Sequence, residues 1–175
     1  MNKRNRFLVF IVLSSLSLST YAYDVAITVN GRLTNQSCDV NSDSLSQSIV
    51  FDDISSGSMS KIGNVTDSKK VTINLDCYLT VNQLSFMFSG QADNTDSTLL
   101  KVTGSGTDEV AKGLAVEVLK ESIRQRYNLN VKTAYGSGIT GSTYAFDFYV
   151  RYRTVSLPVT AGDASAVLFL DMYYE

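Results

Sequence analysis

The sequence predicts an all-β protein folded as one sandwich domain, and three observations carry that prediction. The final segment, 162–175, sets Ala166, Leu168, Leu170, Met172 and Tyr174 at every second position, the pattern of a strand with one face on a core. A segment near the other end, 24–33, alternates in the same way, with Val25, Ile27, Val29, Gly31 and Leu33 on one face. Between them, short apolar runs are separated by Gly, Ser, Asn and Asp clusters of the kind that form turns.

Taken in chain order, residues 1–22 read as a secretory signal. Lys3, Arg4 and Arg6 precede an apolar run from Phe7 to Leu13, and Thr20-Tyr21-Ala22 supplies a small-residue cleavage site. The run is too short to span a bilayer. Removing the signal takes the formal charge from −2 to −5, which argues against nucleic acid and anionic membranes as main partners.

Cleavage exposes Tyr23 and then residues 24–33. Periodicity leaves two readings open: a first strand paired within its own domain, or an arm donated to another molecule. Cys38 and Cys77 are the two cysteines, and an exported chain with two cysteines reads as holding a structural disulfide. Closing a loop of about forty residues stabilises by roughly 4 kcal/mol on the chain-entropy model.

Residues 48–51, 71–77 and 84–88 follow as strand candidates, then 114–119 and the aromatic run 145–152. Residues 108–126 also carry Ala111, Ala115, Val118 and Leu119 near helical spacing. Gly113 and the strands on either side favour a strand for 114–120. The last strand, opened by Gly162, ends the chain without a partner after it. An uncovered sheet edge is a hazard that proteins normally blunt or cover, so this edge is expected to be covered by another segment.

Catalysis finds little support. With no histidine in the chain, neither a Ser-His nor a Cys-His pair can be assembled. Residues 136–141 match G-x-G-x-x-G, but that motif must open a helix, and 142–148 reads as a strand; a flexible turn is expected instead. Asp52, Asp53, Asp93, Asp96, Asp108 and Glu109 lack the spacing of a calcium loop and read as solvated turns. Lys120, Arg124 and Arg126 read as a solvated basic loop. No metal, cofactor or catalytic residue is assigned.

The signal, the alternating 24–31 segment, Cys38, the run 71–77, Phe148-Tyr149-Val150-Arg151, Leu157-Pro158-Val159-Thr160-Ala161-Gly162 and the ending through Tyr174 together resemble a chaperone–usher pilin. More narrowly, the chain is similar to the minor tip subunits of type 1 fimbriae. The resemblance implies an incomplete immunoglobulin-like sandwich lacking its last strand, with an N-terminal donor-strand extension. It divides the chain into a signal peptide (1–22), a donor-strand extension (23–34) and a pilin domain (35–175).

By the same resemblance, the protein is a non-enzymatic fimbrial subunit exported through the periplasm to a cell-surface fimbrium and involved in cell adhesion through it. Its implied partners are a periplasmic chaperone, an outer-membrane usher and neighbouring fimbrial subunits. Val25, Ile27, Val29, Gly31 and Leu33 would form the donor face. Gly162, Ala166, Leu168, Leu170, Met172 and Tyr174 would line the groove and pair with the chaperone's strand, with the Glu175 carboxylate meeting a basic pair there. The competing readings are a single-domain adhesin, with Tyr127, Tyr135 and Tyr144 stacking on sugars, and an autonomous sandwich that uses both terminal strands internally.

Overall fold

A computed structural model describes residues 24–28, 38–78, 81–106, 109–120, 125–139 and 142–174. Among them, helix is confined to one 3-10 turn at Ser42–Ser44, whose start is capped by the Asn41 side chain accepting from the Asp43 amide. The rest is strand and loop. In chain order the strands are β1 (Asp24–Thr28), β2 (Cys38–Val40), β3 (Ser46–Val50), β4 (Lys69–Cys77), β5 (Val81–Ser89), β6 (Leu100–Lys101), β7 (Leu114–Leu119), β8 (Arg126–Tyr127), β9 (Thr133–Ile139), β10 (Thr143–Thr154) and β11 (Val167–Tyr174).

Two sheets face each other. One runs β2-β4-β10-β7-β6, with β8 also pairing with β7; the other runs β3-β1-β11-β5-β9. The alternation seen in the sequence becomes the inward faces. Val71, Ile73, Leu75 and Cys77 of β4 are buried, as are Phe146, Phe148, Val150 and Tyr152 of β10. From the opposite sheet, Leu84, Phe86 and Phe88 of β5 and Leu168 and Leu170 of β11 meet them. Between the layers, Phe86 lies edge-on to Phe88 and Tyr127 at centroid distances of 5.4 and 4.9 Å. Phe88 stands 4.7 Å from Phe148. Such geometries favour aromatic pairs beyond the area they bury.

Residues 114–119 are a strand, and every one of them is buried. Leu114, Val116 and Val118 belong to the core between the sheets. Ala115, Glu117 and Leu119 alternate with them onto the outer face, so local hydrophobicity mixes two environments and imitates helical spacing. Cys38 and Cys77 are joined by a disulfide and lie directly opposite each other in the β2–β4 pairing.

Two expectations need correction. Residues 133–139 form the edge strand β9, paired with β5, where the glycine motif had suggested a flexible turn. Pairing with β5, in which Gly136 lies opposite Leu84, holds the segment extended despite its glycines. Likewise, β11 begins at Val167 rather than at Gly162. Residues 162–166 are an irregular segment held by the chain at 109–111. The Asp163 amide donates to the Glu109 carbonyl, and the Ala111 amide donates to the Asp163 carbonyl. A Cβ at Gly162 would run into the backbone of 109–111, so this glycine permits close approach rather than opening the strand.

Candidate functional site

β3 and β11 are not hydrogen-bonded to each other; β1 lies between them. It pairs antiparallel with β3 along its full length, from Asp24 opposite Val50 to Thr28 opposite Ser46. With β11 it pairs in parallel, Ala26 opposite Val167 and Ile27 opposite Leu168. β3 and β11 therefore frame a slot one strand wide, whose backbone groups on both sides need a partner. The segment in that slot comes from the same chain.

The floor of the slot is apolar because β11 alternates over it. Ala166, Leu168 and Leu170 are fully buried, while Met172 and Tyr174 pack against the core with part of each side chain exposed. Ile49 on β3 adds to the same side. On the other face of β11, Asp171 accepts a hydrogen bond from Ser89 Oγ at 2.8 Å. At the end of β11, burial of the Tyr174 phenol and the nearby Asp39 charge push its pKa up to about 12. The C-terminal end of the slot thus adjoins the disulfide pole of the domain.

At its other end the slot opens into a cavity of about 310 Å³, lined by Phe51, Ile54, Met59, Tyr152, Gly162 and Ala164. Phe51 directly follows β3, and Ala164 precedes β11, so the cavity prolongs the slot beyond β1. Tyr152 is anchored beside it by donating its hydroxyl to the Ala164 carbonyl at 2.8 Å, and burial raises its pKa.

Asp163 fastens this end. Fully buried, its carboxylate accepts from the amides and hydroxyls of both Ser105 and Ser165. Burial opposes ionisation, but the four hydrogen bonds outweigh it and hold the pKa at about 2. The folded-state pKa lies below the unfolded one, so the stabilisation is complete above about pH 4 and disappears as pH falls through 2. Asp163→Asn is expected to remove about 2 kcal/mol at neutral pH and to flatten the acid limb of stability against pH. Denaturant unfolding at pH 7, 4 and 2.5 checks this; an unchanged acid limb would refute it.

Of the predicted donor face, the backbone at positions 25 and 27 lies within β1, whereas Val29, Gly31 and Leu33 lie outside the described residues. So do the signal segment, Arg124 and Glu175. The predicted groove residues Ala166, Leu168, Leu170, Met172 and Tyr174 line one strip, and Gly162 sits behind its mouth. Of the three tyrosines named for sugar stacking, one is buried and Tyr135 and Tyr144 are half-buried against the core. Tyr127 is buried, and Tyr135 packs edge-on to Tyr144 and Phe146 at 5.9 and 5.1 Å.

Sequence reasoning missed a charged cluster on the outer face of β7 and β10. The buried Glu117 carboxylate accepts from Arg151 Nε at 2.7 Å and Arg126 Nε at 2.8 Å, with Arg153 Nη1 at 3.7 Å. Arg126 also reaches Asp96 at 3.2 Å. Arg126 and Asp96 are therefore parts of an ion-pair network rather than a solvated loop and turn. Burial works against the Glu117 charge, yet the arginine hydrogen bonds and charges prevail and lower its pKa. The available signal was the Glu117–Arg151 register across two strands, which no local pattern displays. The described residues include no group of side chains able to hold a metal ion and no helix long and apolar enough to cross a membrane.

The fimbrial protein family model matches residues 27–175. The chain is 29% identical over 151 residues to the type 1 fimbrial subunit of Salmonella typhimurium, covering 85% of this chain and 82% of that one. It is 28% identical over 153 residues to the uncharacterized fimbrial-like protein YcbU of Escherichia coli K12, covering 86% and 84% of the two chains. Among solved structures, a chaperone–usher pilus subunit shares the fold with a TM-score of 0.62 at 20% identity, over 85% of this chain and 93% of that one.

Proposed function

The chain belongs to the fimbrial protein family, and on that premise we propose that it polymerises by donor-strand exchange, its N-terminal arm filling the β3–β11 slot of a neighbouring subunit. As a member of that family it is a structural subunit of a cell-surface fimbrium, exported through the periplasm, and not an enzyme. The observation that carries the exchange reading is the slot itself: a strand position between β3 and β11 that, among the described residues, is filled by Asp24–Thr28.

Dimensions support the pairing. The apolar row of the arm runs from Val25 to Leu33 and that of the slot from Ala166 to Tyr174. Each spans eight residue steps, about 26 Å at strand rise. Backbone bonds on both sides would hold the inserted strand while alternate side chains enter the slot. Burying Val25, Ile27, Val29 and Leu33 would stabilise the joint by roughly 1.5–3 kcal/mol each. In this division of the chain, 1–22 is the signal peptide, 23–34 the arm and 35–175 the pilin domain.

The direction of the strand follows from symmetry. A neighbour's arm laid parallel to β11, as β1 is here, would bring the two Cys38 poles together and close a reciprocal dimer. A head-to-tail contact, which leaves the chain open to grow, needs the arm reversed, antiparallel to β11. Assembly then requires β1 to leave its own slot and enter the next one in the opposite sense. A periplasmic chaperone would hold the slot open in the meantime, and an outer-membrane usher would host the exchange. The likeness of 24–31 to tip-subunit arms supports a minor subunit that serves adhesion through the fimbria.

The test uses the oxidised domain 35–175 without its arm. A peptide covering 23–33 is expected to bind and raise its thermal midpoint by well over 10 °C, since about 2–4 °C accompanies each kcal/mol at this size. High stability alone and indifference to the peptide would overturn the reading.

A further inference from the structure

We propose that the pole formed by the loops at 56–63 and 156–159 is a docking surface for the Cys38 pole of a second copy of this chain. The proposal rests on the donor-strand reading and adds to it a contact between folded bodies. Two large aliphatic side chains stand out there, Leu157 at 50% and Ile62 at 67% exposure. Between the loops lies a shallow hollow lined by Gly57, Met59, Leu157, Pro158 and Val159.

The loops are held in place. The Asn64 side chain donates to the Ser58 carbonyl at 2.7 Å, and the Gly63 amide donates to the Thr154 carbonyl at 2.9 Å. Thr154 Oγ1, fully buried, donates to the Met59 carbonyl at 3.2 Å. An apolar surface on a fixed scaffold needs little ordering on contact, which lowers the cost of binding.

Three observations identify the occupant. The hollow is continuous with the cavity that prolongs the slot, since Met59 and Val159 line both. Only five residue steps separate Leu33 from Cys38, about 17 Å fully extended. An arm ending in that cavity therefore keeps its own body against this pole. Finally, the Cys38 pole has matching chemistry. Tyr78, beside the disulfide, is 71% exposed, and Asp39 faces Asp76 across the β2–β4 pairing. The receiving pole carries exposed Lys61 and Lys112 beside its apolar pair, with Asp52 engaged by Lys69 at 3.2 Å and Asp53 further along the same loop. Bringing Cys38 pole to Cys38 pole would instead set like charges face to face, which disfavours that orientation.

The experiment places a photo-cross-linking amino acid at Leu157 in the full chain, and separately at Met172 in the slot, in cells that assemble the fimbria. Isolated fibres are cross-linked and the joined peptides identified by mass spectrometry. The Leu157 probe is expected to join the segment 38–45 or 76–78 of another copy, and the Met172 probe to join the arm of another copy, both recovered in dimer-sized products. Intermolecular arm products at Met172, together with none at Leu157 or with links to other surfaces, would overturn the docking surface and leave the exchange reading standing. Arm products at Met172 confined to single chains, or none at all, would remove the exchange reading and the proposal with it. As a second measure, Leu157→Asp combined with Ile62→Asp should leave the thermal midpoint of the monomer unchanged, because both positions are exposed. Fibre yield should fall about tenfold, as for loss of a central interface anchor. Undiminished yield would also overturn the proposal.

Discussion

Phe86→Ala is expected to cost about 3–5 kcal/mol of unfolding free energy and to weaken the seating of any strand in the slot. The ring is 1% exposed and stands against Phe88, Tyr127, Tyr135 and Phe146 at centroid distances of 4.9 to 6.0 Å. Removing it loses the transfer energy, leaves a cavity and breaks several edge-on pairs at once. Phe86 also lies opposite Met172 in the β5–β11 register, so the cavity opens under the C-terminal half of the slot. Guanidinium unfolding of the oxidised chain measures the first effect, and binding of the 23–33 peptide to the arm-free domain measures the second. A loss below about 1 kcal/mol would mean that the aromatic cluster repacks around the gap.

Glu117→Ala is expected to destabilise by about 3 kcal/mol, which at this chain length lowers the melting midpoint by roughly 6–12 °C. The carboxylate is buried between Arg126 and Arg151, and its loss leaves those guanidinium groups with Asp96 as the remaining carboxylate of the network. Both arginines keep some contact with solvent and can turn outward, so the effect belongs at the low end of what breaking a buried pair costs. A double-mutant cycle with Arg151→Ala isolates their coupling, expected at 1–3 kcal/mol. Coupling near zero would mean that Glu117 is tolerated in its site rather than held there by its partners.

These two residues also show what could be read in advance. Phe86 stands in a run that alternates, and its burial follows from period two. The same holds for β4, β10 and β11, and for most of the slot's floor. Glu117 gave no such signal, because its partners come from β8 and β10 and reach it only once those strands pair with β7. β9 escaped for a related reason. Its glycines say what the backbone is free to do, while the ladder to β5 decides what it does.

What the sequence determined by itself, then, is the set of apolar faces, the single disulfide and the unusual placement of two alternating segments at opposite ends of the chain. Tertiary structure alone decided that these two segments lie side by side in one sheet, in which direction they run, and how far the slot extends past them. Side-chain alternation is a property of consecutive residues, so it survives in the sequence. Pairing direction and register depend on which distant edges are left without hydrogen-bond partners, and those edges exist only after the rest of the sandwich has folded.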